Sequence, residues 1–288
     1  MSVGNLHLDQ LTVASFDFSG VAKSIGRPIP FVLGDEVFNE LLVDIDFANR
    51  RIAFRELPAS QASEAGVEVP IVRIKDRAVP VSIEGAPAVP FEFDIGSGSP
   101  LQIFPSFEAE HHLLDDRRTS QTWFGGVGGY SPMKVAMVKH FSFAGVGFPA
   151  APAVFTPDTR SGANSNLVQG NLGLPVYARF HLVIDFSHDR LWAAPNTAAA
   201  TAPFPQDRLG LYLTAKANLL QVSLVSPGSP AASSGLTTGD NVAAINGLPA
   251  DAWTPTALRS LREGPVGSGV TVVLAKGDIR RMVLTDFY

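Results

Sequence analysis

One decapeptide stands out for the chemistry it could carry. Residues 91–100 read Phe-Glu-Phe-Asp-Ile-Gly-Ser-Gly-Ser-Pro, an apolar strand pattern that ends in Asp94 and runs into a turn dense in Gly and Ser. Such a turn holds a carboxylate at a strand end, and its small residues let a second backbone approach closely. An aspartate so placed can act as a general acid or base, or simply close a β-turn; the decapeptide alone leaves both open. Two other groups compete for attention. His111-His112 with Asp115-Asp116 has the composition of a metal site, but adjacent residues do not share a helix face, so a solvated helix end is expected. Asp46 and Asp185, each followed by Phe, are expected to form turns. The chain has no Cys, which removes disulfides, thiolate nucleophiles and Cys-ligated zinc together.

The elements that must position Asp94 are mostly strands. Strand signals recur over 67–74, 79–83, 89–93, 101–104, 133–143 and 154–155, while helical periodicity is short, at 105–114 and 174–179. Alternation of this kind predicts a mainly β lobe over 67–195. Residues 57–66 and 195–205 have the composition of linkers. Residues 208–288, with one helix expected over 255–262, are enough for a small separate domain.

Composition bounds the classes. The 288 residues are 45% apolar and only 17% charged, with 26 Gly and 22 Pro; this is a loop-rich globular chain rather than a disordered one. At ~100–200 residues per domain the length suggests about two domains. No stretch approaches the ~20 apolar residues of a membrane-spanning helix. A net charge of -5 with scattered Lys and Arg, densest at Arg50, Arg51 and Arg55, argues against nucleic-acid binding. Residues 1–5 lack the basic start and apolar core of a signal peptide.

An internal repeat revises the domain count. Residues 34–52 align without gaps on 173–191, with six identities: Gly34 on Gly173, Val37 on Val176, Ile45 on Ile184, Asp46 on Asp185, Phe47 on Phe186 and Arg51 on Arg190. Each copy predicts a Gly turn, a short helix, a strand, an Asp-Phe turn and a second strand. Residues 6–11 also resemble 141–146 loosely, both alternating as half-buried strands do. The second copy extends upstream to about residue 68. Residues 1–57 therefore read as the C-terminal half of a lobe whose front half lies before Met1.

With that order on the page, the segment 69–195 resembles a lobe of the retropepsin-like aspartic proteases. In that family an Asp-Thr/Ser-Gly-Ala/Ser turn supplies the catalytic carboxylate; Asp94, Gly96 and Ser97 occupy the matching positions. The resemblance implies a flap hairpin at Trp123, Phe124, Gly125, Gly126, Val127, Gly128, Gly129 and Tyr130, and a closing Gly turn and helix at Leu172-Gly173 and 175–179. It also implies the chemistry. Two carboxylates share one proton, because like charges at ~3 Å cannot both ionise. One activates water, its partner protonates the scissile carbonyl, and no metal or organic cofactor is needed. Ile95 departs from the family, whose Thr or Ser donates a hydrogen bond across the lobe interface; Ile has no donor. The second Asp has two sources: the upstream half-lobe, 45 residues before the numbering begins by the repeat offset, or a second copy of the chain facing Asp94 to Asp94. The first is favoured, since it gives residues 1–57 a purpose, and it makes the chain a truncated one, inactive unless it dimerises.

Residues 206–288 resemble a PDZ domain, through the run 208–213, then Ser226-Pro227-Gly228-Ser229-Pro230-Ala231-Ala232, Gly239-Asp240 and Ile245-Asn246-Gly247. The resemblance implies β-augmentation by an extended peptide. A terminal carboxylate would sit on backbone N–H groups at Leu209, Gly210 and Leu211, with Leu213 and Leu258 or Leu261 lining a side-chain pocket. Apolar C-termini or exposed apolar strands are the expected ligands. The whole then reads as a bacterial aspartic endopeptidase in which the PDZ domain recruits polypeptides, in the periplasm or secreted. The competing reading is an inactive peptide-binding scaffold with a decayed protease lobe.

Overall fold

The computed structural model describes residues 2–3, 6–7, 14–56, 66–74, 76–126, 128–157 and 167–288. It is mainly β. The chain opens with β1 (Ser2–Val3), β2 (Leu6–His7), α1 (Ser19–Ile25), α2 (Asp35–Glu40), β3 (Leu42–Asp46) and β4 (Arg51–Arg55). Of the strand expected over 6–11, Leu6–His7 pairs with Ser2–Val3, and the rest lies outside the described residues.

The middle of the chain contributes β5 (Val67–Pro70), β6 (Val72–Arg73), β7 (Arg77–Ile83), β8 (Val89–Asp94), β9 (Leu101–Ile103), α3 (Pro105–His111), β10 (Ser120–Gly126) and β11 (Gly129–Val138). It continues with β12 (Phe141–Phe143), β13 (Val146–Phe148), β14 (Ala151–Phe155), β15 (Gly170–Gly173), α4 (Leu174–Tyr177), β16 (Phe180–Asp185) and β17 (Arg190–Pro195). The strand run over 133–143 is two strands, because the chain turns at Lys139-His140, where the Glu84 N–H donates to the His140 carbonyl at 3.0 Å. The main sheet runs β10-β11-β14-β9-β15-β8-β7-β12-β13, with β6 added on β7. At its centre β15 lies between β8 and β9, parallel to the first and antiparallel to the second. Both links of the Asp94 turn thus border the same short strand.

A second sheet, ordered β4-β3-β16-β17-β5, joins the two copies of the repeat. Its register is self-symmetric. Asp44 faces Val183, its own repeat equivalent, while Val43 faces Ile184 and Ile45 faces Leu182. Exchanging the copies returns the same pairing, so a local two-fold axis passes between Asp44 and Val183. Asp44, 2% exposed, is kept from being an unpaired buried charge by His181 Nε2 at 2.8 Å and by an ion pair with Arg55. Val43 and Ile45 belong to the same apolar core as Phe91, Leu172, Phe180 and Ile184. The first copy is therefore folded onto the middle of the chain rather than tethered to it.

The C-terminal part holds α5 (Thr197–Thr201), β18 (Leu211–Lys216), β19 (Leu219–Val225), α6 (Pro230–Ser233), β20 (Asn241–Ile245), β21 (Leu248–Pro249), α7 (Pro255–Arg262), β22 (Gly269–Leu274) and β23 (Ile279–Val283). Its sheet is ordered β18-β19-β20-β22-β23, with β21 on β20, and it encloses a core of its own. Thr254 caps α7, its Oγ1 accepting from Ala257 N at 3.2 Å, and Pro255 takes the first helical position.

The linker expected over 195–205 is corrected by its contacts. Asn196 caps α5, and Phe204 is 4% exposed in the main core. The Arg179 guanidinium donates to the carbonyls of Ala199, Ala200, Ala202 and Pro203 and stacks 3.5 Å from the Phe204 ring centroid. One buried cation satisfies four backbone acceptors of a segment whose own side chains are small, so composition alone reads as slack what is anchored.

Candidate functional site

Asp94 closes β8, half-buried, with one carboxylate oxygen on each side of its turn. Oδ1 accepts from the Gly96 N–H at 3.0 Å, and Oδ2 accepts from Asn171 Nδ2 at 3.2 Å. Asn171 sits on β15, opposite Glu92, and its amide also reaches Gln102 Oε1 at 3.2 Å. The turn is locked beneath. Ser97 N donates to the Asp94 carbonyl at 3.2 Å, the Ser97 carbonyl accepts from Leu174 N at 3.0 Å, and Ser99 Oγ donates to the Leu101 carbonyl at 2.9 Å. Gly173 is opposite Asp94, and a Cβ there would stand 1.9 Å from the Ser99 carbonyl oxygen. That spacing is why a glycine ends β15.

The remaining residues of the turn divide by burial. Gly96 is exposed, Ser97 is buried, and Ile95 is half-buried against the main apolar core. Beneath the turn, Phe93 and Tyr177 lie 4.5 Å apart. Burial pushes the Tyr177 phenol well above its usual value, and the nearby Asp94 carboxylate adds to the shift. The Tyr177 hydroxyl is buried without a hydrogen-bond partner. Asn171 and Tyr177 were missed by sequence reasoning; both reach Asp94 through strand and helix placement, with no local signal.

The hairpin β10–β11 closes through Gly126 opposite Gly129. Trp123, Phe124 and Tyr130 are half-buried, Gly126, Gly128 and Gly129 are exposed, and Val127 lies outside the described residues. Gly125 is obligatory, since a Cβ would stand 2.0 Å from the Gly129 carbonyl. Tyr130 at the tip is hydrogen-bonded to Ser24 of α1 at 2.7 Å. The other candidates have structural tasks. Asp46 accepts from Asn49 N and Nδ2, and Asp185 from His188 N and Ser187 Oγ, both closing hairpin turns. His111 packs against Phe107, and His112 meets Asp115 in an exposed pair at 3.4 Å.

At the C-terminal unit β18 is an edge strand. Leu213 and Leu261 are partly buried against the cluster that contains Leu209, Leu211 and Leu258. The loop entering β18 turns at Gly210, φ +66. The family of PDZ domains matches residues 200–275. The C-terminal unit is a PDZ domain. Among solved structures, the chain is similar to a retropepsin-like aspartic protease from Rickettsia conorii, at 15% identity and TM-score 0.33, covering 44% of this chain and 91% of that one. It is also similar to the HtrA-type protease AlgW with tripeptide, at 10% identity and TM-score 0.25, covering 87% and 94%. Likenesses this remote carry no functional inference. No curated protein matches the chain.

The PDZ domain docks on the β10–β11 hairpin. Ser226 Oγ donates to the Gln121 carbonyl at 2.7 Å, and Ser120 Oγ to the Pro227 carbonyl at 2.6 Å. Thr122 and Tyr212 are hydrogen-bonded through their hydroxyls at 2.8 Å, and Phe287 and Tyr288 pack on Val135 and Met137 of β11.

Proposed function

We propose that the protein is an aspartic endopeptidase in which Asp94 supplies one carboxylate of a dyad and the PDZ domain holds polypeptide substrates. The observation that carries this reading is the half-buried Asp94 carboxylate on a rigid glycine turn, in a molecule with a local two-fold axis. The symmetry supports one location for a partner. Gly173 abuts the Asp94 turn, and its repeat equivalent is Gly34, so a second Asp turn would enter beside Gly34. The surroundings of Gly34 suit a missing neighbour: Phe31 is 51% exposed and Val32 65%. A strand pair that would cover them is not among the described residues. It can come from another segment of the protein or from a second copy.

In that dyad the ionised carboxylate takes a proton from water as the water oxygen bonds to the scissile carbonyl carbon. The protonated partner gives its proton to the carbonyl oxygen. The dyad gives its proton to the nitrogen as the carbon–nitrogen bond breaks, a hydroxyl of the gem-diol returns a proton to the dyad as the product carboxyl forms, and one proton again lies between the two carboxylates. The Gly96 N–H and Asn171 Nδ2 donate to the two Asp94 oxygens and fix the orientation of the carboxyl group. The β10–β11 hairpin serves as the flap that closes over substrate, and the PDZ domain docked on it places the peptide groove beside that closure. Ile95 replaces a cross-interface hydrogen bond by apolar contact. Secretion to a bacterial periplasm fits such an enzyme.

The test is cleavage of an unfolded protein substrate by the protein between pH 3 and 8. Asp94→Asn is expected to lower kcat/KM at least about 1000-fold while leaving the urea midpoint in place. Activity that survives Asp94→Asn rules out the dyad. Absence of cleavage by the unaltered protein at every pH favours the scaffold reading.

A further inference from the structure

The loop expected to receive a ligand's terminal carboxylate already holds a carboxylate. Asp207 Oδ1 accepts from Leu209 N at 2.9 Å and from Gly210 N at 2.8 Å. Its Oδ2 is buried and faces Arg262 Nε at 3.6 Å. The side chain is 11% exposed. The guanidinium of Arg262 in turn lies 4.3 Å from the Tyr212 ring centroid. Arg208, the other cation at this loop, is committed to Asp286 at 2.7 Å and to the Gly264 carbonyl.

We infer that Asp207 is a built-in substitute for the ligand's terminal carboxylate, and that this PDZ domain selects internal extended segments of a polypeptide over free C-termini. The inference rests on the peptide-binding reading of the PDZ domain and narrows its ligand class. Backbone N–H groups are the loop's means of recognising an anion, and those of Leu209 and Gly210 are taken. A second carboxylate arriving there meets like charge and finds both nearby arginines paired. What the groove still offers is the outer edge of β18 for main-chain pairing, with half-buried Leu213 and Leu261 beside it. Strand addition of that kind recognises backbone and side chains and needs no chain end. Unfolded polypeptides present such segments along their whole length, which suits a domain that hands substrate to an endopeptidase.

The experiment measures fluorescence anisotropy of one dye-labelled apolar peptide, Val-Val-Leu-Val-Leu, made as the free acid and as the amide. It is titrated with the full chain, with Asp207→Ala and with Asp207→Asn. The unaltered protein is expected to bind the amide at least as tightly as the acid. Asp207→Ala is expected to gain about tenfold or more for the acid, the worth of a charge-assisted hydrogen bond or two, with little change for the amide. Asp207→Asn keeps the acceptor and loses the charge, so it is expected to fall between and serves if the Ala variant does not fold. Tighter binding of the acid than of the amide by the unaltered protein, lost in the Asn variant, overturns the inference. Binding of neither peptide by any of the three proteins overturns the peptide-binding reading and the inference with it. Binding of the amide alone, with no gain for the acid in either variant, overturns only the role of Asp207.

Discussion

The two copies of the repeat share a local fold and differ in what surrounds them. Val37 is 2% exposed and its equivalent Val176 is 0%; Ile45 is 6% and Ile184 is 0%. These positions face the shared core, where both copies find neighbours. The outer positions part company. Ile52 is 60% exposed while its equivalent Leu191 is 0%. The cause is the sheet: β17, which carries Leu191, is flanked by β5, whereas β4, which carries Ile52, ends the sheet. Gly173 is pressed against the Asp94 turn, while Gly34 is open. One sequence pattern thus fixes the strand pairing around the axis, and the lobe that packs on it decides whether the rest is covered.

The largest contrast is expected at the two glycines. Gly173→Ala puts a Cβ 1.9 Å from the Ser99 carbonyl, an overpacking of backbone on backbone worth about 3 kcal/mol of lost stability in urea unfolding. It should also lower activity by displacing the Asp94 turn. Gly34→Ala meets only the end of the Glu36 side chain, at 2.6 Å, which can swing away, so a change within about 0.5 kcal/mol is expected in this chain. A catalytically active assembly in which the two substitutions cost the same would place a second turn against Gly34. An active assembly in which Gly34→Ala stays silent would remove that site for the partner carboxylate.

The turn aspartates should divide the same way, by less. Asp185 is 5% exposed and satisfies His188 N and Ser187 Oγ. Asp185→Ala leaves the His188 N–H of a part-buried hydrogen bond without its acceptor, and a loss of about 1 kcal/mol is expected, read from the urea midpoint. Asp185→Asn, which keeps an acceptor, should recover part of it. A loss no larger than that of an exposed turn aspartate would mean that the burial difference between the copies has no energetic weight.

The repeat also shows what was legible in the sequence and what was not. The mainly β fold, the strands bordering Asp94 and the PDZ domain were readable because each rests on local periodicity or on turns whose glycines stand in order. The self-symmetric register of β3 and β16 was not readable, since a repeat predicts two like hairpins without saying that they pair with each other. The partners of the carboxylates were not readable. Asn171 reaches Asp94 from 77 positions away because β15 inserts between β8 and β9. Arg179 makes an anchored segment of one that reads as a linker. Asp207 occupies the N–H groups expected for a ligand, and nothing in Asp-Arg-Leu-Gly distinguishes a plug from an empty loop. Local pattern yields the elements; the choice of hydrogen-bond partner is a property of packing.

The smallest expected effect is at Asp46, the half-buried counterpart of Asp185, and it is best seen as a pH dependence. The side-chain amide and backbone N–H of Asn49 hold the Asp46 carboxyl below its ordinary value. A carboxyl whose folded-state pKa is depressed binds protons less readily when folded. It therefore contributes stability above its unfolded pKa, near ~4, and that contribution is lost as pH falls through the lower folded value. Asp46→Asn keeps the turn and removes the titration, so its stability curve should be flatter than the parent's below about pH 4 and parallel to it above. Because the group lies on the open side of the molecule, salt should shrink the long-range part of the difference. An acid limb unchanged by Asp46→Asn would show that the less buried copy closes its turn without help from the ionised carboxylate.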